Sequence, residues 1–175
     1  GKADPAALRT VLNQAHALDP TQAEPLQRLW QLAQEAGDEA EETRVLRELT
    51  PIDETNAPAY RRLRELLLAQ GAVAEAIAVG EAALFVDLEG APTHVSYAQA
   101  LARAGRDKEA TFEFQSAAVC PGPAQELAAA HRGYSEFLRS RGQAKAADAE
   151  LARARELEAG TPAPAEHGPS AAPAP

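Results

Sequence analysis

The sequence predicts an all-α protein, a solenoid of stacked helix–turn–helix repeats with about nine helices. Hydrophobic residues make up 45% of the chain but aromatic residues only 5%, so the core must consist mainly of alanine, leucine and valine. Small and unbranched side chains favour closely packed helices over strands. Gly37, Gly71 and Gly105 follow one another at intervals of 34 residues, and Gly142 comes 37 residues later. Apolar residues recur at helical spacing on both sides of these glycines, which is typical of helical repeats.

Other residues keep the same interval. Pro58 recurs as Pro92, Glu75-Ala76 as Glu109-Ala110, and Ala83 as Ala117. The period therefore predicts four repeats at residues 23–56 (degenerate), 57–90, 91–127 and 128–159, preceded by a helix in 1–22 and followed by a tail in 160–175.

The repeated residues resemble the tetratricopeptide repeat (TPR) family over about residues 23–160. Ala76 with Ala83, and Ala110 with Ala117, match the alanine pair that the family places where its two helices cross and seven residues further on. Prolines near the expected repeat ends are Pro20, Pro51 and Pro121. The resemblance implies a right-handed superhelix and a protein-interaction scaffold. The excess of alanine and arginine over lysine suggests a bacterial source.

The first two repeats depart from the family pattern. Trp30 and Arg64 stand where a small residue is expected, and Glu42 stands in place of the crossing alanine. We therefore expect these repeats to pack more loosely or in a shifted register. The 37-residue interval adds three residues around positions 121–123, which predicts a longer loop there.

The two ends of the array differ in character. Asp4-Pro5 is typical of a helix start, with an N-cap followed by proline at the first helical position. The helix that follows is either a cap or the second half of an interrupted repeat. The tail, rich in proline and alanine, has too few large apolar residues to fold, so we expect disorder or polyproline II.

The charge balance excludes several partner classes. A net charge of −9 argues against nucleic acid and against anionic lipid surfaces, both of which attract basic proteins. No apolar run approaches the roughly 18 residues that a membrane-spanning helix needs, and no signal-peptide pattern opens the chain. We therefore expect a soluble protein without membrane insertion, with the cytoplasm slightly favoured over the periplasm.

The two helix types are predicted to carry opposite charge. The predicted first helices hold eight basic and four acidic residues, whereas the second helices hold six basic and fifteen acidic residues. Because first helices line the concave side of such a solenoid, the sequence predicts a basic groove that binds a peptide or partner protein. Acidic peptides, free C-termini and phosphorylated segments suit arginine. The candidate binding residues are Gln27, Gln31, Arg61, Arg62, Gln99, Arg103, Arg132 and Arg139. The alternative is that these charges pair with neighbours, such as Arg61 with Glu65.

No catalytic or metal-binding motif is present. The four histidines show no zinc-ligand spacing, and there is neither a phosphate-binding glycine loop nor a Gly-x-Ser-x-Gly motif. We therefore predict no enzyme activity, no metal and no cofactor. His94 and His131 occupy packing positions of their repeats, and Cys120 is predicted to be a small buried apolar residue.

Two other functions remain open at this point. The chain could be the non-catalytic repeat domain of a larger bacterial enzyme, such as a secreted metallopeptidase. It could also be a self-assembly module whose repeat ends stack. A full-length sequence would distinguish the first, and light scattering would detect the second.

Overall fold

A computed structural model describes residues 4–160, and within that range the chain forms nine α-helices and no strand. The helices are α1 (Pro5–Leu18), α2 (Ala23–Ala36), α3 (Glu39–Leu49), α4 (Ala57–Ala69), α5 (Val73–Val86), α6 (Ala91–Arg103), α7 (Asp107–Val119), α8 (Ala124–Ser140) and α9 (Ala144–Ala159). The all-α solenoid with nine helices is thus confirmed for this part of the chain. The tail predicted to be disordered lies, apart from Gly160, outside the described residues.

The glycines that mark the period all end first helices or start the turn behind them. Their φ angles are 66°, 76°, 74° and 75° at Gly37, Gly71, Gly105 and Gly142. Residues with a Cβ are strained in this left-handed region, which is why glycine recurs there. At the chain start, Asp4 caps α1 as predicted, because its carboxylate accepts a hydrogen bond of 3.1 Å from the amide of Ala6.

The helices form two layers. Cα atoms of α4 lie within 8 Å of α6, and those of α6 within 8 Å of α8, whereas no two of the second helices α3, α5, α7 and α9 approach as closely. Helices α3 and α5 are bridged by the long side chains of Arg47 and Glu75, which form an ion pair at 2.6 Å. Helices crowd on the inside of a bend and separate on its outside. The first helices of repeats two to four therefore line the inner surface, and the second helices form the outer surface.

The connection between α7 and α8 corrects one prediction. It contains only residues 120–123, the same length as the connection 87–90 between α5 and α6. The extra residues instead lengthen α8 to 17 residues, against 13 in α6. The predicted longer loop was wrong because the sequence after Pro123 begins Ala-Gln-Glu-Leu, all strong helix formers, and so adds a helical turn. The repeat boundary placed at residue 127 lies inside α8.

Glu42 is buried at its crossing position, and its carboxylate is fully engaged. Trp30 Nε1 donates to Glu42 Oε1 over 2.9 Å, and Arg62 donates from Nε and Nη2 over 2.8 and 2.7 Å. Arg62 belongs to the next repeat, so this carboxylate joins the first repeat to the second. No Cα atom of α2 lies within 8 Å of one in α4, in keeping with the looser packing expected for these repeats.

Arg64 is the largest side chain with complete burial. None of its three guanidinium nitrogens has a hydrogen-bond partner among the described residues. Desolvation by burial lowers the pKa of Arg64 to about 10. In the fourth repeat the equivalent residue, Ser135, donates 2.8 Å to the carbonyl of Ala147 across the helix crossing. In the second repeat, Ala76 stands at the crossing position that Glu42 occupies in the first, so the residue at that position offers Arg64 no side-chain acceptor.

Two histidines pair with glutamates nineteen residues further on. His94 Nδ1 lies 2.7 Å from Glu113 Oε2, and His131 Nδ1 lies 2.7 Å from Glu150 Oε2. His94 Nε2 also lies 2.8 Å from the carbonyl oxygen of Leu88. Because both partners of His94 are acceptors, the doubly protonated ring fits this site best. The histidines thus join the two helices of their repeats, in line with the packing role expected from the sequence.

The His94 pair makes stability depend on pH. The hydrogen bond to Glu113 is the main cause that raises the pKa of His94, and the charge of Asp87 adds to it. A raised folded-state pKa means that the stabilisation is complete below the ordinary value of 6.5 and is lost as pH rises through the folded pKa. We expect His94→Gln to lose most stability relative to wild type below pH 6.5, and the difference to shrink at higher pH. Urea unfolding across this range measures it, and a difference independent of pH would contradict the assignment.

Candidate functional site

A cavity of about 380 Å³ opens on the inner surface between α4, α6 and α8. Its walls include Leu68 of α4, Gln99 and Arg103 of α6, and Glu136 and Phe137 of α8, with Phe114 of α7 reaching in from the outer layer. The aromatic side rests on a packed cluster, since the Phe114 ring lies 5.2 Å from Phe137. The cavity therefore combines an apolar wall with polar and charged side chains.

Gln99 and Arg103 stand one helical turn apart on α6, and both side chains are exposed. Arg103 makes no ion pair with any other residue between positions 4 and 160. Its guanidinium keeps all five donors for a ligand. Gln99 presents both a donor and an acceptor beside it, as an amide that can bond to peptide backbone.

Arg141 forms a fixed part of the wall. Its guanidinium binds both carboxylate oxygens of Asp107 over 2.9 and 2.8 Å and donates 2.9 Å to the carbonyl of Ala102. It also lies 5.1 Å from the centre of the Phe137 ring, a cation–π distance. Hydrogen bonding to Arg141 lowers the pKa of Asp107, so this pair stays ionised at neutral pH. Arg141 thus holds the edge of the cavity while Arg103 remains available.

Two predicted residues lie at a different cavity. Gln27 and Gln31 line a space of about 480 Å³ between α1 and α2. Gln27 Nε2 donates 2.7 Å to Asp53, and Gln31 accepts a hydrogen bond of 2.7 Å from Arg28. These glutamines are already bonded to the chain and are not brought together with Gln99.

Four predicted arginines are bound to the chain's own carboxylates. The pairs are Arg61 with Asp87 at 3.7 Å, Arg62 with Glu42 at 2.7 Å, Arg139 with Asp148 at 2.8 Å, and Arg132 with Glu158. The suggested partner of Arg61, Glu65, instead lies 3.5 Å from Arg62. Of the eight predicted residues, the 380 Å³ cavity brings together only Gln99 and Arg103.

The observed helix bounds also reduce the charge contrast between the layers. Helices α2, α4, α6 and α8 hold seven basic and five acidic residues, a net +2, because α8 gains Glu126 and ends before Arg141. The second helices α3, α5, α7 and α9 hold six basic and thirteen acidic residues, a net −7. The sign of the difference remains as predicted.

Sequence reasoning missed the aromatic wall and Glu136. Glu136 follows Gln99 by 37 residues, the interval between repeats three and four, so the period itself could have found it. Phe114 belongs to α7, a helix of the outer layer, and nothing in the sequence signals that its ring reaches the inner cavity.

The described residues offer little else that is typical of a chemical site. Cys120 Sγ donates 3.3 Å to the carbonyl of Ser116, and burial raises the pKa of its thiol. Between positions 4 and 160, no group of three or more histidine, cysteine or carboxylate residues is arranged to hold a metal ion. In the same range, no helix combines the length and apolar character needed to cross a membrane.

Comparisons with known proteins bear on the fold. No protein-family model matches the sequence, and no curated protein matches it closely enough to count. Solved structures do match. MamA from Desulfovibrio magneticus RS-1 (residues 41 to the end) shares 17% identity at a TM-score of 0.70, over 90% of this chain and 88% of that one. YrrB, described as a TPR protein with an unusual peptide-binding site, shares 14% identity at a TM-score of 0.69, over 87% and 77%.

A third structure agrees with these two. TTC0263, a thermophilic TPR protein of Thermus thermophilus, shares 20% identity at a TM-score of 0.66, over 87% of this chain and 82% of that one. At such low identity the likeness concerns the backbone and not individual binding residues. Together with the period, the glycine turns and the two-layer packing, it shows that the described residues have the fold of a tetratricopeptide-repeat-like α-solenoid.

Proposed function

We propose that the chain is a protein-interaction scaffold that binds an extended peptide in the inner cavity between α4, α6 and α8. The observation that carries this proposal is Arg103, an exposed guanidinium without an ion pair in the described range, set beside the aromatic wall of a cavity of about 380 Å³. That YrrB, a protein of the same fold, is described as having a peptide-binding site lends support to such a use.

The chemistry of the cavity favours one kind of peptide. Arg103 suits a carboxylate, because its planar fork can donate two parallel hydrogen bonds. Phe114 and Phe137 offer an apolar surface next to it, and Gln99 can bond to the peptide backbone. Glu136 on the opposite wall disfavours a second acidic residue there. The expected ligand is a segment with one acidic residue next to an apolar or aromatic one.

Selection from a random peptide library displayed on phage tests the proposal. We expect wild type to enrich peptides in which aspartate or glutamate neighbours an apolar residue. Arg103→Glu should weaken their binding by roughly tenfold or more, since a charge-assisted bond is lost and repulsion replaces it. Arg155→Glu is the matched control, because Arg155 is an exposed arginine on the outer helix α9 and the charge change is the same.

Two results would count against the proposal. One is the absence of any enriched sequence class on wild type. The other is a set of enriched peptides that bind Arg103→Glu as tightly as wild type, which would move the binding surface away from this cavity.

A further inference from the structure

The outer surface of the two middle repeats exposes large apolar side chains. Phe85 at the end of α5 is 94% exposed and Leu88 just after it 68%, while on α7 Phe112 is 64% and Val119 82% exposed. Phe85 and Val119 are 34 residues apart, so they occupy equivalent places in successive repeats. The equivalent residue of the last helix, α9, is Glu156. Exposed apolar groups thus recur on the middle outer helices but not on the last one.

Helix α5 is apolar around most of its circumference. It contains two charged residues, Glu75 and Glu81, in 14 positions. Its inward side buries Ala76, Gly80 and Ala83, and its outward side still presents alanines and Phe85 to solvent. A helix without a polar face is normally covered by other protein on all sides. The outward side of α5 is therefore suited to being covered.

A cavity lies on the part of this surface that α5 and the turn after it form. It has a volume of about 550 Å³ and is lined by Glu81, Leu84, Phe85 and Leu88. Two residues of α6 bond to the lining of this cavity. The Tyr97 hydroxyl donates a hydrogen bond of 3.2 Å to Glu81, and His94 bonds to the carbonyl of Leu88. The walls are thus held in place by bonds to the buried layer. We call Phe85, Leu88 and the lining of this cavity the α5 patch.

The charged side chains of α5 and of the turn that follows it, residues 87–90, are all carboxylates. The exposed carboxylates of Glu81 and Glu89 stand four residues before and four residues after Phe85. Helix α5 itself has no basic residue, and the outer helices carry a net −7 in total. Two copies of the chain that met at this patch would bring like charges together, which is unfavourable. A partner with basic residues would complement it.

We propose that the α5 patch docks an amphipathic helix of a partner protein, one with an apolar stripe flanked by lysine or arginine. Apolar residues one helical turn apart would fill the cavity beside Phe85, as in other helix-in-groove complexes. The basic flanks would meet Glu81 and Glu89. This site lies on the opposite layer from the inner cavity and does not depend on peptide binding there, so the scaffold could hold two partners at once.

A designed peptide provides the test. The probe is a labelled amphipathic helix of about 18 residues, with leucines three and four positions apart and lysines on the flanks. A second peptide carries glutamate in place of each lysine. Fluorescence anisotropy should show saturable binding of the lysine peptide to wild type. Its affinity should fall roughly tenfold or more in Phe85→Ser/Leu88→Ser, because each buried apolar side chain contributes about that much.

Matched variants separate binding at the α5 patch from binding elsewhere on the chain. Leu18→Ser removes a comparably exposed apolar side chain from α1 and should leave the affinity unchanged. The glutamate peptide should not bind measurably. The proposal is overturned if the lysine peptide fails to saturate wild type or binds the double variant equally well. It is also overturned if sedimentation shows a wild-type dimer that Phe85→Ser/Leu88→Ser abolishes, because the occupant would then be a second copy.

Discussion

Replacement of Arg64 by methionine is expected to raise the free energy of unfolding by about 2–4 kcal/mol. The guanidinium is fully buried without a hydrogen-bond partner among the described residues, and its lowered pKa of about 10 reflects the cost of keeping the charge there. Methionine fills a similar length with apolar atoms and removes that cost at every pH below about 10. Equilibrium unfolding in urea at pH 7 measures the difference.

Arg103→Met is the matched control for this prediction. It makes the same chemical change at an exposed site, and should alter stability by no more than about 0.5 kcal/mol. If Arg64→Met proved no more stable than wild type, Arg64 would have to be satisfied in some way other than the packing described above.

Gly80→Ala is expected to destabilise the protein by about 1–3 kcal/mol, although alanine is the better helix former by about 1 kcal/mol. A Cβ at position 80 would lie 2.3 Å from Cδ2 of Tyr97, far inside contact distance. The ring cannot move aside easily, because Tyr97 is buried and its hydroxyl is bonded to Glu81. Thermal and urea unfolding of both proteins measure the effect.

The double variant Gly80→Ala/Tyr97→Leu tests the stated cause. If the clash explains the loss, Gly80→Ala should cost much less when Tyr97 is already leucine than in the wild-type background. A gain in stability from Gly80→Ala alone would contradict this explanation, because it would mean that the space between α5 and the Tyr97 ring of α6 can accommodate a methyl group.

The 34-residue period predicted the helices and turns because each repeat obeys local rules. Neighbouring positions in the sequence are enough to predict the glycines with positive φ, the apolar residues one turn apart and the small residues at the helix crossing. The structure of the three residues inserted near position 122 was harder to predict, since an insertion of this length can extend either a loop or a helix. The helix propensity after Pro123 decided between them, and it could have been weighed from the sequence.

The candidate site was only partly predictable. Gln99 and Arg103 were predicted because they lie on a first helix, the type expected to line the concave side. Arg62 pairs with Glu42, 20 positions away, and Arg132 pairs with Glu158, 26 positions away. A count of charges along the chain does not reveal which residues pair at such distances. The same holds for Phe114, whose ring crosses from the outer layer into the inner cavity.

The two proposed surfaces differ in chemistry and location. The inner cavity offers the exposed guanidinium of Arg103 beside aromatic rings, while the α5 patch offers apolar side chains framed by carboxylates. An acidic extended peptide suits the first and a basic amphipathic helix suits the second. A scaffold with both surfaces would bring two unlike partners together.

Site-specific photocrosslinking tests the central claim, peptide binding in the inner cavity, most directly. Benzoylphenylalanine would replace Gln99 in the cavity in one protein and the exposed Ala78 of α5 in another, and each would be irradiated with an acidic peptide selected on wild type. We predict that the peptide is captured from position 99 and not from position 78, and that Arg103→Glu abolishes the capture. Capture from position 78, or capture from position 99 that survives Arg103→Glu, would contradict it.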